Sequence, residues 1–279
     1  MKKVFIQQFI PVSLTIVTFL VLSTCLYGLL LILNSLPLSE KITLDFRKRD
    51  ILVGIVIYLK TAIDFAIFIG NLMHTNPGWK KRIAIEMGTA IGNAFGTFLI
   101  LIVWVIFKEV PLLMMAMIFI ASIVLLRMAE ESLEEFLKQK KSFISIDIRK
   151  PVSLLQEQLN LINKLFRPIL RFFVPNLSLT RVKKLSFANL VVFSFTIPFI
   201  LGLDDFAGYI PLFSVINLFG FALGVMLGHM LLNVGLFIWP KMTVRAVKHP
   251  IVLIVGGLAF IGLALWGFWE SIHLLLEII

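Results

Sequence analysis

The chain has 279 residues, of which 59% are hydrophobic and 15% charged, with a formal net charge of +10; soluble domains carry roughly 25% charged residues. That balance excludes an ordinary soluble protein. Because the basic residues alternate with apolar runs of bilayer length, it also argues against a nucleic-acid partner. One cysteine, Cys25, excludes an internal disulfide framework and any cysteine-rich metal cluster.

Seven apolar windows are long enough to cross a bilayer as α-helices: about 5–34, 51–73, 83–107, 110–128, 185–203, 213–238 and 250–276. A membrane β-barrel would show short alternating segments instead. The first window follows Met1-Lys2-Lys3, and Leu22-Ser23-Thr24-Cys25 loosely resembles a lipoprotein cleavage box. Thr24 is too large for that box and the apolar run continues past Cys25, so an uncleaved membrane helix is expected. The second window contains KTAIDFAIFIGNLM, with Lys60 and Asp64 inside it. A charge near the bilayer centre costs about 3 kcal/mol or more, so such residues face a protein interior or a wet path.

Positive charge concentrates on the cytoplasmic side of membrane proteins. With the N-terminus inside, most of the 26 basic residues fall on the cytoplasmic pieces, and only Lys41, Arg47, Lys48, Arg49 and Lys108 fall outside. The expectation is therefore an all-α, polytopic protein of the cell inner membrane, with seven transmembrane helices, a cytoplasmic N-terminus and an outer C-terminus. Between the fourth and fifth windows, Leu155, Leu159, Ile162, Phe166, Ile169 and Phe173 recur at spacings of three and four, with Lys164, Arg167 and Arg171 between them. This describes a basic amphipathic helix on the cytoplasmic leaflet, bent at Pro168 and in contact with membrane lipid.

Three landmarks recur in the same order. Asp64-Phe65-Ala66 matches Asp205-Phe206-Ala207, and Gly88, Gly92 and Gly96 match Gly220, Gly224 and Gly228. Pro111 ahead of Glu131-Ser132 matches Pro250 ahead of Glu270-Ser271. The polar loop 74–82 accounts for the longer first interval. The duplicated unit holds three helices, an odd number, so a second copy that starts on the opposite side is inverted. The domain scheme is an N-terminal helix and outer loop (1–49), a first repeat (50–132), a cytoplasmic linker (133–184) and a second repeat (185–279).

Inverted repeats place a substrate site at their interface near the midplane, where helices are broken. Gly70-Asn71 in the first copy, and Gly208 with Pro211 in the second, are the expected breaks. Asp64 and Asp205 are the leading candidate metal ligands and proton acceptors, with Asp204 adjacent. Lys60, one turn before Asp64, is a counter-ion to it or a site for a carboxylate; Leu201 stands at its place in the second half. Asn93 and His229 follow Gly92 and Gly228, so close helix approach would set an amide or imidazole among neighbouring helices, as a ligand, a proton relay or an interhelical hydrogen bond. Asn71, Glu86 and Asn233 are weaker candidates.

Two inverted three-helix units with IDFAIFIGNLM and LDDFAGYIPLF resemble the LysE superfamily over about residues 50–279. That group includes amino-acid exporters, TerC-like proteins and manganese, calcium or cadmium exporters. The Glu-x-Gly-Asp-Lys signature of its calcium/manganese exchanger branch is absent here. The resemblance implies a secondary transporter, not an enzyme and without a resident cofactor. The expected activity is export of a divalent cation such as manganese, coupled to protons, with the metal ion as substrate. A small amphipathic solute such as an amino acid is the alternative, and a non-transporting scaffold a third. An intramembrane aspartyl protease is disfavoured, since its Tyr-Asp and Gly-x-Gly-Asp pairs are missing. Homo-oligomerisation is left open.

Overall fold

A computed structural model describes residues 2–76, 78–139, 148–168, 186–207 and 209–278. Among these residues all regular structure is helical: α1 (Lys2–Asn34), α2 (Lys48–Thr61), α3 (Ile63–Thr75), α4 (Trp79–Phe107), α5 (Pro111–Lys138), α6 (Arg149–Leu165), α7 (Phe187–Ala207), a 3-10 helix (Ile210–Ser214), α8 (Leu218–Ile238), α9 (Pro240–Val247) and α10 (Pro250–Ile278). Pro111, Pro240 and Pro250 each open a helix, where the missing N–H is no loss and φ is already helical. Gly78, with φ 114°, supplies the left-handed turn into α4 that a side chain would resist.

The protein is membrane-embedded. Among the described residues, five helices are long and apolar enough to cross a bilayer, or six if the bent pair α2–α3 is one span. The expected window 185–203 falls on α7, and the window expected at 213 begins as a helix only at Leu218. Before it, Tyr209, Ile210 and Phe213 are buried in the 3-10 turn. The second half therefore makes its turn inside protein, as the missing polar loop implied.

The helices gather into two compact units, each drawing on both halves of the sequence. In the first unit, α2 and α8 run parallel, since Asp50 meets Asn217, Gly54 meets Phe221 and Gly224, and Tyr58 meets Gly228. A Cβ on Gly54 or on Gly224 would stand 3.0 Å from the other's Cα, so only glycine permits this approach. Helices α4 and α7 are parallel too: Gly88 lies on Val191 and Ser194, and Gly92 on Phe195 and Pro198. Helix α1 reaches α8 through Tyr27, whose ring centroid is 5.9 Å from that of Phe219. At the start of α8 the Asn217 side chain accepts from Gly220 N–H at 2.8 Å and donates to Thr43, while Asn217 N–H donates to the buried Asp50 carboxylate at 3.2 Å.

In the second unit α5 and α10 are antiparallel. Ser132 Oγ donates to Leu253 O at 2.9 Å and Ser271 Oγ to Met115 O at 3.2 Å, near opposite ends of the pair. Lys248 and Glu135 form an ion pair at 2.6 Å. Helix α6 lies along α5: Asn163 Nδ2 donates to Glu130 Oε2 at 2.6 Å, and Phe166 packs edge-on against Phe119 at 6.2 Å.

The linker helix is amphipathic, and the stripe that holds Leu159 and Phe166 meets protein on α5. Leu159 is buried and Asn163 turns with it toward α5, where its Nδ2 donates to Glu130 and to the Leu126 carbonyl. Leu154, Leu161 and Leu165, which lie off that stripe, are exposed, as is Ile162 on it. The helix is interrupted at Phe166, two residues ahead of Pro168. A proline opens a helix more readily than it continues one. Ile169, Arg171 and Phe173 lie outside the described residues.

Candidate functional site

The first feature of the site is the break between α2 and α3. Ala62 takes φ −75°, ψ 21°, outside helical values, and the two helices meet at 65°. The Tyr58 carbonyl accepts both the Ala62 N–H at 2.9 Å and the Thr61 hydroxyl at 3.0 Å. A hydroxyl bonded back to the preceding turn bends a helix. The break therefore falls between Lys60 and Asp64, eight residues ahead of the Gly70-Asn71 expected from the sequence. Helix α3 runs unbroken through both of those residues, because one glycine costs only about 1 kcal/mol in a helix. Gly70 packs near Val244 and Leu236, and Asn71 is exposed.

The break gives each charge a local role. Lys60 is in the last turn of α2, where the helix dipole is negative, and Asp64 is the second residue of α3, where it is positive. Lys60 is buried, at 8% exposure. The side chains of Asp64, Asp204 and Asp205 lie outside the described residues. Asp204 and Asp205 occupy the last turn of α7.

The second feature is a buried hydrogen-bonded chain across three helices. Tyr58 Oη on α2 lies 2.6 Å from His229 Nδ1 on α8, and Asn233 Nδ2 lies 3.1 Å from His229 Nε2. The same amide donates to Thr89 Oγ1 on α4 at 3.3 Å, and Thr89 donates to the Glu86 carbonyl at 3.0 Å. The imidazole also packs against the Phe65 ring of α3 at 5.3 Å. Both ring nitrogens are thus engaged in interhelical or intrahelical hydrogen bonds, and a metal ion would have to displace one of them. Which nitrogen carries the proton follows from the assigned orientation of the Asn233 amide.

The third feature is Glu86. It is completely buried; Oε1 accepts from the Thr15 hydroxyl of α1, and Oε2 has no hydrogen-bonding partner among the described residues. Asn233 Oδ1 is likewise buried and unpartnered. Arg82, one turn before Glu86, donates to the Phe237 carbonyl of α8 at 3.2 Å. Arg82 opposite Phe237 and Thr89 opposite Asn233 make α4 and α8 antiparallel, with a polar seam between them. Asn93, 3% exposed, lies one turn beyond Thr89 on the same α4 face, and its carbonyl accepts from Thr97 at 2.8 Å.

Of the residues expected from sequence, Lys60, Asn93 and His229 are buried in the first unit together with the weaker candidates Glu86 and Asn233. Tyr58, Thr15 and Thr89 were missed. A hydroxyl within an apolar helix carries no periodic signal, although Tyr58 stands one turn before Ala62 in a chain with only 3 tyrosines. No protein-family profile matches the chain, and no curated protein or solved structure is significantly similar to it.

Proposed function

We propose that this chain is a secondary transporter of the alternating-access type, built from two inverted three-helix halves with α1 outside the duplication. What carries the reading is the pairing of helices. The landmarks make α3, and with it α2 as the first part of the same span, answer to α7, α4 to α8 and α5 to α10. Gly54 then answers to Phe195 and Gly224 to Gly92, so the α2–α8 contact has its counterpart in the α4–α7 contact of Gly92 with Phe195. The serines that donate to Leu253 and Met115 are also counterparts.

Helix direction supports inversion specifically. Had the halves entered the membrane from the same side, α2 would oppose α8; the two run parallel, as an inverted copy requires. Folds of this kind hold substrate near the midplane, at broken helices, and the Ala62 break with buried Lys60, His229 and Glu86 provides such surroundings. The LysE superfamily shares this plan.

The cargo proposed is a divalent cation such as manganese, bound by Asp64 and Asp205 and exported in exchange for protons. An amino-acid-like solute is the second reading, favoured by the buried ammonium of Lys60. The membrane is the cell inner membrane, with the N-terminus cytoplasmic and the C-terminus outside. The test is flux into proteoliposomes under an imposed pH gradient, with manganese and an amino-acid mixture as separate probes. Manganese flux abolished by Asp64→Asn and by Asp205→Asn is expected. Metal binding that survives both substitutions overturns the ligand assignment, and intact protein that moves neither probe favours a scaffold.

A further inference from the structure

Glu86 is the acid whose surroundings the transporter reading leaves unexplained. It is two turns inside α4, fully buried, with one oxygen held by Thr15 and the other without a hydrogen-bonding partner among the described residues. A buried carboxylate without full hydrogen bonding is costly, and acids at membrane depth mark ion or proton paths. Helices pack on α4 from three directions. Around Glu86, α1 brings Thr15 and no acidic or basic side chain within a turn of it. Helix α7 brings Ser194, and no charged residue occurs between Phe187 and Gly202. Helix α8 brings His229 and Asn233, while α4 itself carries Arg82 one turn away. Tyr58 of α2 stands at the far end of the hydrogen-bonded chain, and Lys60 lies two residues further along α2.

We propose that Glu86 is the carboxyl group that takes up and releases the coupling proton, separately from the cargo site. The arrangement selects a proton over a metal. A divalent cation such as calcium takes six to eight oxygens, whereas Glu86 offers one free oxygen, and a proton needs no more. Thr89, Asn233, His229 and Tyr58 form a buried polar line from the Glu86 backbone carbonyl toward the α2–α3 break; because the Asn233 amide donates to both Thr89 and His229, this line fixes the helices around Glu86 and is not itself the proton's path. Helix α1, which lies outside the duplication, thereby acquires a purpose: its Thr15 holds the carboxyl in place. The coupling role rests on the transporter reading; the proton-binding role does not.

Infrared difference spectroscopy of the purified full-length chain in lipid, recorded between acid and alkaline pH, separates the two. A protonated-carboxyl stretch sensitive to deuteration is expected in the wild type, lost in Glu86→Gln and retained in Asp64→Asn and Asp205→Asn. Thr15→Val should keep the band but move it to higher frequency, since a carbonyl that loses a hydrogen-bond donor stretches faster. Unfolding curves for each variant establish that the fold persists. A band that survives Glu86→Gln, or that disappears in Asp64→Asn instead, overturns the assignment, as does a Thr15→Val band at the wild-type frequency. If the band behaves as expected while proteoliposomes show no flux, the transporter reading fails and the proton site stands.

Discussion

Substitution of Gly224 by alanine should destabilise the first unit, and comparison with a second glycine isolates the reason. A Cβ at Gly224 would run into the Ile51 carbonyl oxygen and lie 3.0 Å from the Gly54 Cα. These are backbone atoms, so no side chain can swing away; α2 and α8 must part by roughly 1 Å or more to restore ordinary contacts. Overpacking of this kind costs about 1–3 kcal/mol. Alanine also gains helix propensity of about 0.8–1 kcal/mol over glycine, which hides part of the loss. Gly262 on α10 has nothing within 4 Å of a Cβ, so Gly262→Ala collects the propensity gain without the clash. The difference between the two variants should therefore be about 1–3 kcal/mol.

Denaturant titration of both variants in the same mild detergent, followed by tryptophan fluorescence, measures that difference. Adding Gly54→Ala to Gly224→Ala should cost less than the sum of the single changes, because the helices need to separate only once. Gly224→Ala as stable as Gly262→Ala would refute the close approach of α2 and α8, and with it the framework that holds Tyr58 against His229.

Tyr58→Phe removes the hydroxyl from a ring nitrogen buried at 2.6 Å, and an orphaned buried group costs about 1–3 kcal/mol, so a fall in unfolding midpoint without loss of helix content is expected; an unchanged midpoint argues against the bond. Ser132→Ala and Ser271→Ala each remove one hydrogen bond between α5 and α10 and should cost about 0.6 kcal/mol apiece, the typical value within a bilayer. Markedly unequal costs in the same titration would count against the equivalence of the two serines.

The close helix pairs were half legible in the sequence. Glycines repeated every four residues write a groove along one face of α4 and of α8, so a near neighbour for each could be read directly. Which helix fills the groove could not, because Gly224 carries no mark that distinguishes Ile51 and Gly54 of the other half from residues of its own. The same limit applies at Glu86. Its charge stands out in an apolar window, but Thr15 lies 71 residues away and nothing in VSLTIVTF tells a bonding hydroxyl from an idle one. In the linker, spacing picked out the stripe that holds Leu159 and Phe166, but nothing in it marked α5 as the surface they meet or Glu130 as the partner of Asn163.

The break was misplaced because Gly70-Asn71 looked like the weak point, yet a helix surrounded by protein tolerates one glycine at modest cost. The actual break lies where Thr61 competes for the Tyr58 carbonyl, and its position changes the meaning of the two charges beside it. Lys60 closes the half-helix whose end is negative, and Asp64 opens the half-helix whose end is positive. In the second half the residue answering to Ala62 is Leu203, inside the continuous helix α7, and the residue answering to Lys60 is Leu201. The basic residue is thus present where the helix is broken and absent where it is whole. A cation at a half-helix C-terminus stabilises that end by about 0.3–1 kcal/mol on a surface and more when partly buried, so the place of Lys60 at the end of α2 favours the break beside it.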